Sequence, residues 1–301
     1  MTPADPAQPL KNLQPQHEFF VGVDSDGSVF DSMGLKEREC FCPWMIAHFD
    51  LQPVAEAARE CKDFADLFSR TRGGNRHVTL KRILTELLPS HPQVKARGFA
   101  VPQLPHYFAW VEDPNSVLSN DGLRQAIDRA DSEARGELQR VLAWSERSDW
   151  AVGEIVRNLP LVPFVRESLE KMQAAADLVV VSSTPVETLQ HDWKEHDIAR
   201  YMAVIAGQEM GTKIQHLAYA AKDRYNRDHV LLIGDAPGDL QAARASDALF
   251  YPIVPGREAE SWERLHDEAF DRFLTGRYAG EYEAGLIPEF DAALSDDPPW
   301  I

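Results

Sequence analysis

This chain is poor in cysteine, in basic residues and in long apolar runs, and each shortage excludes something. Among 301 residues there are three cysteines, too few for a disulfide framework. No second pair stands behind Cys40 and Cys42 to complete a zinc-binding set. Cys61 falls on the apolar stripe Val54, Ala57, Cys61, Phe64, Phe68 and reads as a buried thiol. No apolar run approaches the roughly 20 residues that a membrane span needs. The first eighteen residues hold four prolines and no apolar centre of the kind an export signal carries. They read as a disordered lead-in, and the cytoplasm is the expected compartment. Basic residues number 31 against 48 acidic ones, a net charge of -17. That balance argues against a nucleic-acid partner, whose binders present basic faces to phosphate. It would also repel a small anionic ligand unless a bound cation or a local basic island offsets it.

From residue 160 onward, short apolar runs alternate with helical segments. The strand candidates are Leu178–Val181, Ala203–Ala206, Val230–Ile233 and Ala248–Tyr251, and an earlier run, Phe19–Val23, matches them. Strands alternating with helices predict βαβ units and a parallel sheet covered on both faces. Between residues 32 and 159 the spacing is helical, as in Val54 to Phe68 and in Leu138, Val141, Leu142. The fold class expected is therefore α/β, a Rossmann-like parallel-sheet core over 19–31 and 160–255 with a mostly helical cap inserted at 32–159. Residues 256–301 read as a C-terminal helical extension.

Four short motifs carry the chemistry, each at the end of a strand candidate. In Val21-Gly22-Val23-Asp24-Ser25-Asp26-Gly27 an apolar run meets two carboxylates two residues apart, which share one side of an extended chain. Such a pair can divide the work, one carboxylate attacking phosphorus and the other handling the leaving group's proton; an acidic surface turn is the plainer alternative. Val181-Ser182-Ser183-Thr184-Pro185 ends a strand in hydroxyls before a helix. Ser182, Ser183 and the adjoining backbone N–H groups can hold phosphoryl oxygens there, or simply cap the helix. Lys213 follows a glycine-containing loop at a helix start, where the macrodipole disfavours a cation, which suggests a purpose other than folding. In Ile233-Gly234-Asp235-Ala236-Pro237-Gly238-Asp239, two hard oxygen ligands on a short loop suit Mg²⁺, although Asp239 also fits a first-turn helix acid.

Taken together and in this order, the four motifs resemble those of the haloacid dehalogenase-like hydrolases. The resemblance covers roughly 15–31 and 160–255; the insert resembles the superfamily only in being helical and in following the first motif. It implies Asp24 as nucleophile and metal ligand, and Asp26 as acid/base with its carbonyl also facing the metal. It further implies Ser182 and Lys213 on the phosphoryl group, with Asp235 and Asp239 completing a Mg²⁺ site. Ser28 stands where the family more often has threonine. The carboxylate at Asp26 favours a phosphatase acting on a small phosphorylated metabolite over a dehalogenase. A sugar phosphomutase using the same residues, and a non-catalytic Mg²⁺-binding module, are the alternatives. A two-component receiver domain has no need of so long an insert, and no G-x-G-x-x-G follows the first strand, as a Rossmann dehydrogenase would require.

The insert also holds the clearest basic island, with Arg70, Arg72, Arg76, Lys81 and Arg82 and no acid between residues 67 and 85. Its centre, Arg72-Gly73-Gly74-Asn75-Arg76, reads as a mobile loop. Arg72, Asn75 and Arg76 are the expected contacts to an anionic group remote from the scissile phosphate.

Overall fold

The computed structural model describes residues 5–301. The apolar runs become five strands: β1 (Phe19–Val23), β2 (Ala176–Val181), β3 (Val204–Ala206), β4 (Val230–Gly234) and β5 (Leu249–Pro252). Continuous Val, Ile and Leu without polar alternation suits strands covered on both faces, and every residue of β2, β4 and β5 is buried. All pairings are parallel, in the order β3-β2-β1-β4-β5. Helices Val165–Gln173, Val186–Glu195, Lys213–Ala220 and Pro237–Ala245 alternate with the strands along the chain. The strand order reverses at β1, between β2 and β4. Ligands of open α/β sheets bind at such a switch point, beyond the carboxyl ends of the strands.

The chain divides into two units: one runs to Ser32 and resumes over Asn158–Leu294, the other comprises Met33–Arg157 with Ser295–Ile301. The backbone thus passes from one to the other three times, at Ser32–Met33, Arg157–Asn158 and Leu294–Ser295.

Within the sheet unit, residues 5–18 are ordered, correcting the expectation of a disordered lead-in. A short helix, Gln8–Lys11, places Leu10 in the apolar cluster around Phe20, Val179 and Val181. The buried carboxylate of Asp177, at the start of β2, accepts from Gln16 N at 2.9 Å, His17 N at 3.0 Å and the Tyr225 hydroxyl at 2.8 Å. Residues 258–274 and helix Glu281–Ala292 also belong to this unit. They cover the open edge of β5, since Phe250 N donates to Glu283 at 2.9 Å and Phe250 O accepts from Tyr278 at 2.6 Å. An edge strand with its backbone groups satisfied in this way offers no template for another chain.

The second unit is helical, and among its described residues no named strand occurs. Its core gathers Phe49, Tyr107, Trp144, Cys40, Cys42 and Cys61. Cys61 is buried as the apolar stripe requires, but the stripe stops at Phe64, because Phe68 is 42% exposed. Burial pushes the Cys40 thiol up to about 11 and Cys42 to about 12, so neither is a reactive thiolate at neutral pH. Residues 295–301 complete this core. Ser295 N donates to Phe68 O at 3.1 Å, and the Trp300 ring packs 5.8 Å from Phe64 and 4.8 Å from His91. The C-terminal extension is therefore split between the two units. No helix among the described residues is long and apolar enough to cross a membrane.

Candidate active site

β1 delivers Asp24 to the carboxyl edge of the sheet, where its N–H still donates to Ile233 O at 2.9 Å. The chain then turns tightly: Val29 N donates to Ser25 O at 2.8 Å and Gly27 N to Phe30 O at 3.0 Å. Gly27 sits at φ 76°, a region that side chains with a Cβ seldom enter. Two indoles pin the turn from outside, Trp193 Nε1 donating to Ser25 Oγ at 3.0 Å and Trp262 Nε1 to Ser28 O at 2.7 Å. The Ser28 hydroxyl donates to Asp235 Oδ1 at 3.0 Å and lies 3.4 Å from Asp24 Oδ2. It links the loops that follow β1 and β4.

Lys213 opens the helix Lys213–Ala220, whose end is held by a reciprocal Thr212–Gln215 cap. The cap satisfies the helix end without Lys213, leaving the ammonium to the carboxylates. It donates to Asp24 Oδ1 at 2.7 Å and to Asp239 Oδ1 at 2.5 Å, while Asp239 Oδ2 accepts from Ala236 N at 3.1 Å. Burial raises Asp24 well above its ordinary value, with Lys213 offsetting only part of the effect, and raises Asp239 for the same reason. Burial works against the Lys213 charge too, but the Asp239 and Asp24 carboxylates outweigh it and hold the ammonium above its usual value.

Asp24, Asp235 and Asp239 are all buried, and each offers a ligand oxygen within 4.8 Å of the others. Three carboxylates facing one ammonium leave an excess of negative charge in a dry site. A hard divalent cation with oxygen ligands fits that excess. Asp239, with Lys213 on one oxygen and a backbone N–H on the other, is the most committed of the three.

Asp26 is not one of the three clustered carboxylates. Its Oδ1 accepts from the Ser32 hydroxyl at 2.6 Å and its Oδ2 from the Thr184 hydroxyl at 2.6 Å. Ser182 is buried, and its Oγ accepts from Thr184 N at 3.2 Å, which leaves its own proton available to donate. Ser183 is exposed at the same turn. Sequence reasoning missed the parts of Ser32 and Thr184, although Thr184 lies inside the second motif and Ser32 only five residues beyond the first. The signal was the clustering of hydroxyls at the ends of β1 and β2.

The basic loop of the helical unit is a different matter. Arg72 is buried and donates to Leu67 O at 2.9 Å. Asn75 caps the following helix by accepting from His77 N at 2.9 Å, and donates to Leu118 O at 2.8 Å. Arg76 meets Asp149 at 2.5 Å and Ser145 Oγ at 3.1 Å, with its guanidinium 4.7 Å from the Phe41 ring centroid. Lys81 pairs with Glu112, and Arg70 and Arg82 bond to Asp296. Arg76, Lys81 and Arg82 thus meet partners within the helical unit, and Asn75 caps a helix there.

Residues 118–251 match the family model of the haloacid dehalogenase-like hydrolases. Over that stretch, less than half of its length, the chain is similar to that family. The matched stretch spans β2 to β5 and begins after β1, so Asp24 and Asp26 lie outside it and join the site through the pairing of β1 with β2 and β4. No curated protein matches the chain. Solved structures similar to it include a protein of Lactobacillus delbrueckii subsp. bulgaricus assigned as a phosphoglycolate phosphatase. It is 15% identical, with a TM-score of 0.48, over 84% of this chain and 92% of that one. A predicted phosphoglycolate phosphatase of Haemophilus somnus 129pt is 17% identical, with a TM-score of 0.42, over 79% and 86% of the two chains. A haloacid dehalogenase-like family hydrolase of Xanthomonas campestris is 13% identical, with a TM-score of 0.40, over 85% and 96%.

Proposed function

We propose that this hydrolase cleaves the phosphate monoester of a small metabolite, with Asp24 as nucleophile, Asp26 as acid/base and Mg²⁺ as cofactor. The observation that carries the reading is the contrast between two carboxylates two residues apart. Asp24 is gripped by Lys213 beside Asp235 and Asp239, whereas the two carboxylate oxygens of Asp26 accept from hydroxyls, Ser32 on one and Thr184 on the other. Different surroundings for a pair of acids assign them different tasks.

In the first step an oxygen of Asp24 bonds to phosphorus as the ester P–O bond breaks. The electron pair goes to the leaving oxygen, which takes a proton from Asp26. In the second step water attacks phosphorus, Asp26 takes its proton, and the bond from Asp24 to phosphorus breaks, releasing phosphate. Lys213 and the Ser182 hydroxyl hold phosphoryl oxygens through both steps. Asp24 and Asp235, with Asp239 beside them, would hold Mg²⁺, which supplies charge neutralisation and orientation of the phosphoryl group.

The test is phosphate release from a panel of phosphorylated metabolites, run with Mg²⁺, with chelator and with Ca²⁺. Activity is expected with Mg²⁺, none with chelator, and little with Ca²⁺, whose larger and looser shell misplaces phosphorus relative to Asp24. Full activity in chelator would dispose of the metal assignment, and no release from any ester would dispose of the reading.

A further inference from the structure

Thr184 lies in the hydroxyl-rich turn expected to serve the phosphoryl group, yet its hydroxyl donates to Asp26 at 2.6 Å. The backbone around it is held at three points. Thr184 N donates to Ser182 Oγ at 3.2 Å, Thr184 O accepts from Gln208 N at 3.1 Å, and Val186 N donates to Glu209 Oε2 at 3.0 Å. The second and third of these come from the loop after β3, which reaches in through Gly207. A Cβ at that glycine would stand 2.4 Å from Thr184 O and 2.8 Å from Val186 N, both backbone atoms that cannot step aside. Only glycine permits the approach. The loop that leads to Lys213 therefore also sets where the Thr184 hydroxyl stands, and a β-branched side chain adds its own restriction at χ1. On the other side of Asp26, the Ser32 hydroxyl holds the second oxygen at 2.6 Å.

We propose that Thr184 is a positioning residue for Asp26, with Ser32 as its counterpart, fixing the plane of the carboxyl group that exchanges a proton with the substrate. This rests on the acid/base reading of Asp26. Hydroxyls suit the task where lysine or arginine would not. A hydroxyl donates to a carboxylate and can accept from a carboxylic acid, so it serves Asp26 in both half-reactions, whereas a cation can only donate. The motif thus divides its hydroxyls, Ser182 to the phosphoryl group and Thr184 to the proton.

The experiment compares Thr184→Val, Thr184→Ser and Asp26→Asn on an alkyl phosphate and on p-nitrophenyl phosphate, with rapid mixing to resolve the first turnover. Nitrophenolate leaves without help from an acid, but the second step still needs the base. Thr184→Val should lower kcat on the alkyl ester by ~10- to 100-fold, the usual scale of a displaced acid/base. On the aryl ester it should give a burst of nitrophenolate followed by slow turnover. Thr184→Ser should restore both to within about threefold. Gly207→Ala, which pushes on the Thr184 backbone while leaving every hydroxyl in place, should reproduce the same pattern. If Thr184→Val leaves both esters unchanged, or lowers alkyl turnover with no burst on the aryl ester, while Asp26→Asn shows the split between a fast nitrophenolate burst and slow turnover, the positioning role is refuted. If Asp26→Asn itself shows no split, the acid/base reading falls, and this inference with it.

Discussion

The indole nitrogen of Trp262 donates to the carbonyl oxygen of Ser28 at 2.7 Å, across 234 positions of sequence. Ser28 in turn bridges toward Asp24 and Asp235, so a residue of the C-terminal extension holds the turn that follows Asp24. Trp262→Phe keeps most of the ring and removes only the donor, leaving a buried carbonyl unsatisfied. A loss of about 1–3 kcal/mol is expected in chemical denaturation, together with a lower kcat at little-changed KM. A variant with wild-type stability and kcat would show that the turn stands without the indole.

Asp24→Asn separates activity from stability. Removing the attacking charge should abolish phosphate release. The same change removes a negative charge from a site where burial raises the Asp24 carboxyl well above its ordinary 3.8. A carboxyl raised on folding costs stability once it ionises, so wild type should lose stability as pH climbs from the unfolded value through the folded one. In chelator at pH 7 the Asn variant should therefore melt higher than wild type, and the gap should close as pH falls toward 4. A variant that melts lower than wild type at pH 7 in chelator would contradict this account.

Arg76→Ala tests whether Arg76 serves the packing of the helical unit or a substrate. The guanidinium covers the Phe41 ring and meets Asp149, whose side chain is 43% exposed. The salt bridge is screened and the ring contact modest, so the expected loss is about 1–2 kcal/mol. KM for every substrate should stay within about twofold of wild type, since no transition-state contact is removed. A tenfold rise in KM confined to one anionic metabolite would return Arg76 to the substrate.

How much of this was open to reading in the sequence depended on how local each cause is. Asp24, Lys213, Asp235 and Asp239 each follow an apolar strand by a short fixed spacing, and the sheet alone brings them together. The roles of Thr184 and Ser32 depend on a partner found only in space, as Thr184 lies 158 positions from Asp26. The partner of Arg76 was equally hidden, since Asp149 is 73 positions away, which makes the run from 67 to 85 look uncompensated. Residues 5–18 looked disordered because Leu10 and Leu13 show no period, and the carboxylate of Asp177 that anchors Gln16 is 161 positions on.

A chain shortened to end at Leu294 loses the Trp300 ring from between Phe64 and His91, and the bonds from Arg70 and Arg82 to Asp296. Amide hydrogen exchange should quicken in helices Ala55–Leu67 and Arg76–Arg82 by at least tenfold, about 1.4 kcal/mol of local protection. Exchange in β1 and β4 should hold steady. Unchanged exchange in the two helices would mean that residues 295–301 merely rest on that surface.

Three passages of the backbone between the units also set a schedule for synthesis. β1 is made by residue 23 but lies between β2, which starts at 176, and β4, which starts at 230. At about 5–20 residues per second, it waits on the order of 10–40 s on the ribosome for its second neighbour. The helical unit is encoded within that interval and could condense first, yet Ser295 and Trp300, which finish its core, emerge later still. Neither unit can be complete while the chain is short. The apolar strand that leads to Asp24 thus lacks its neighbours for most of translation, which is when a chaperone would have most to do.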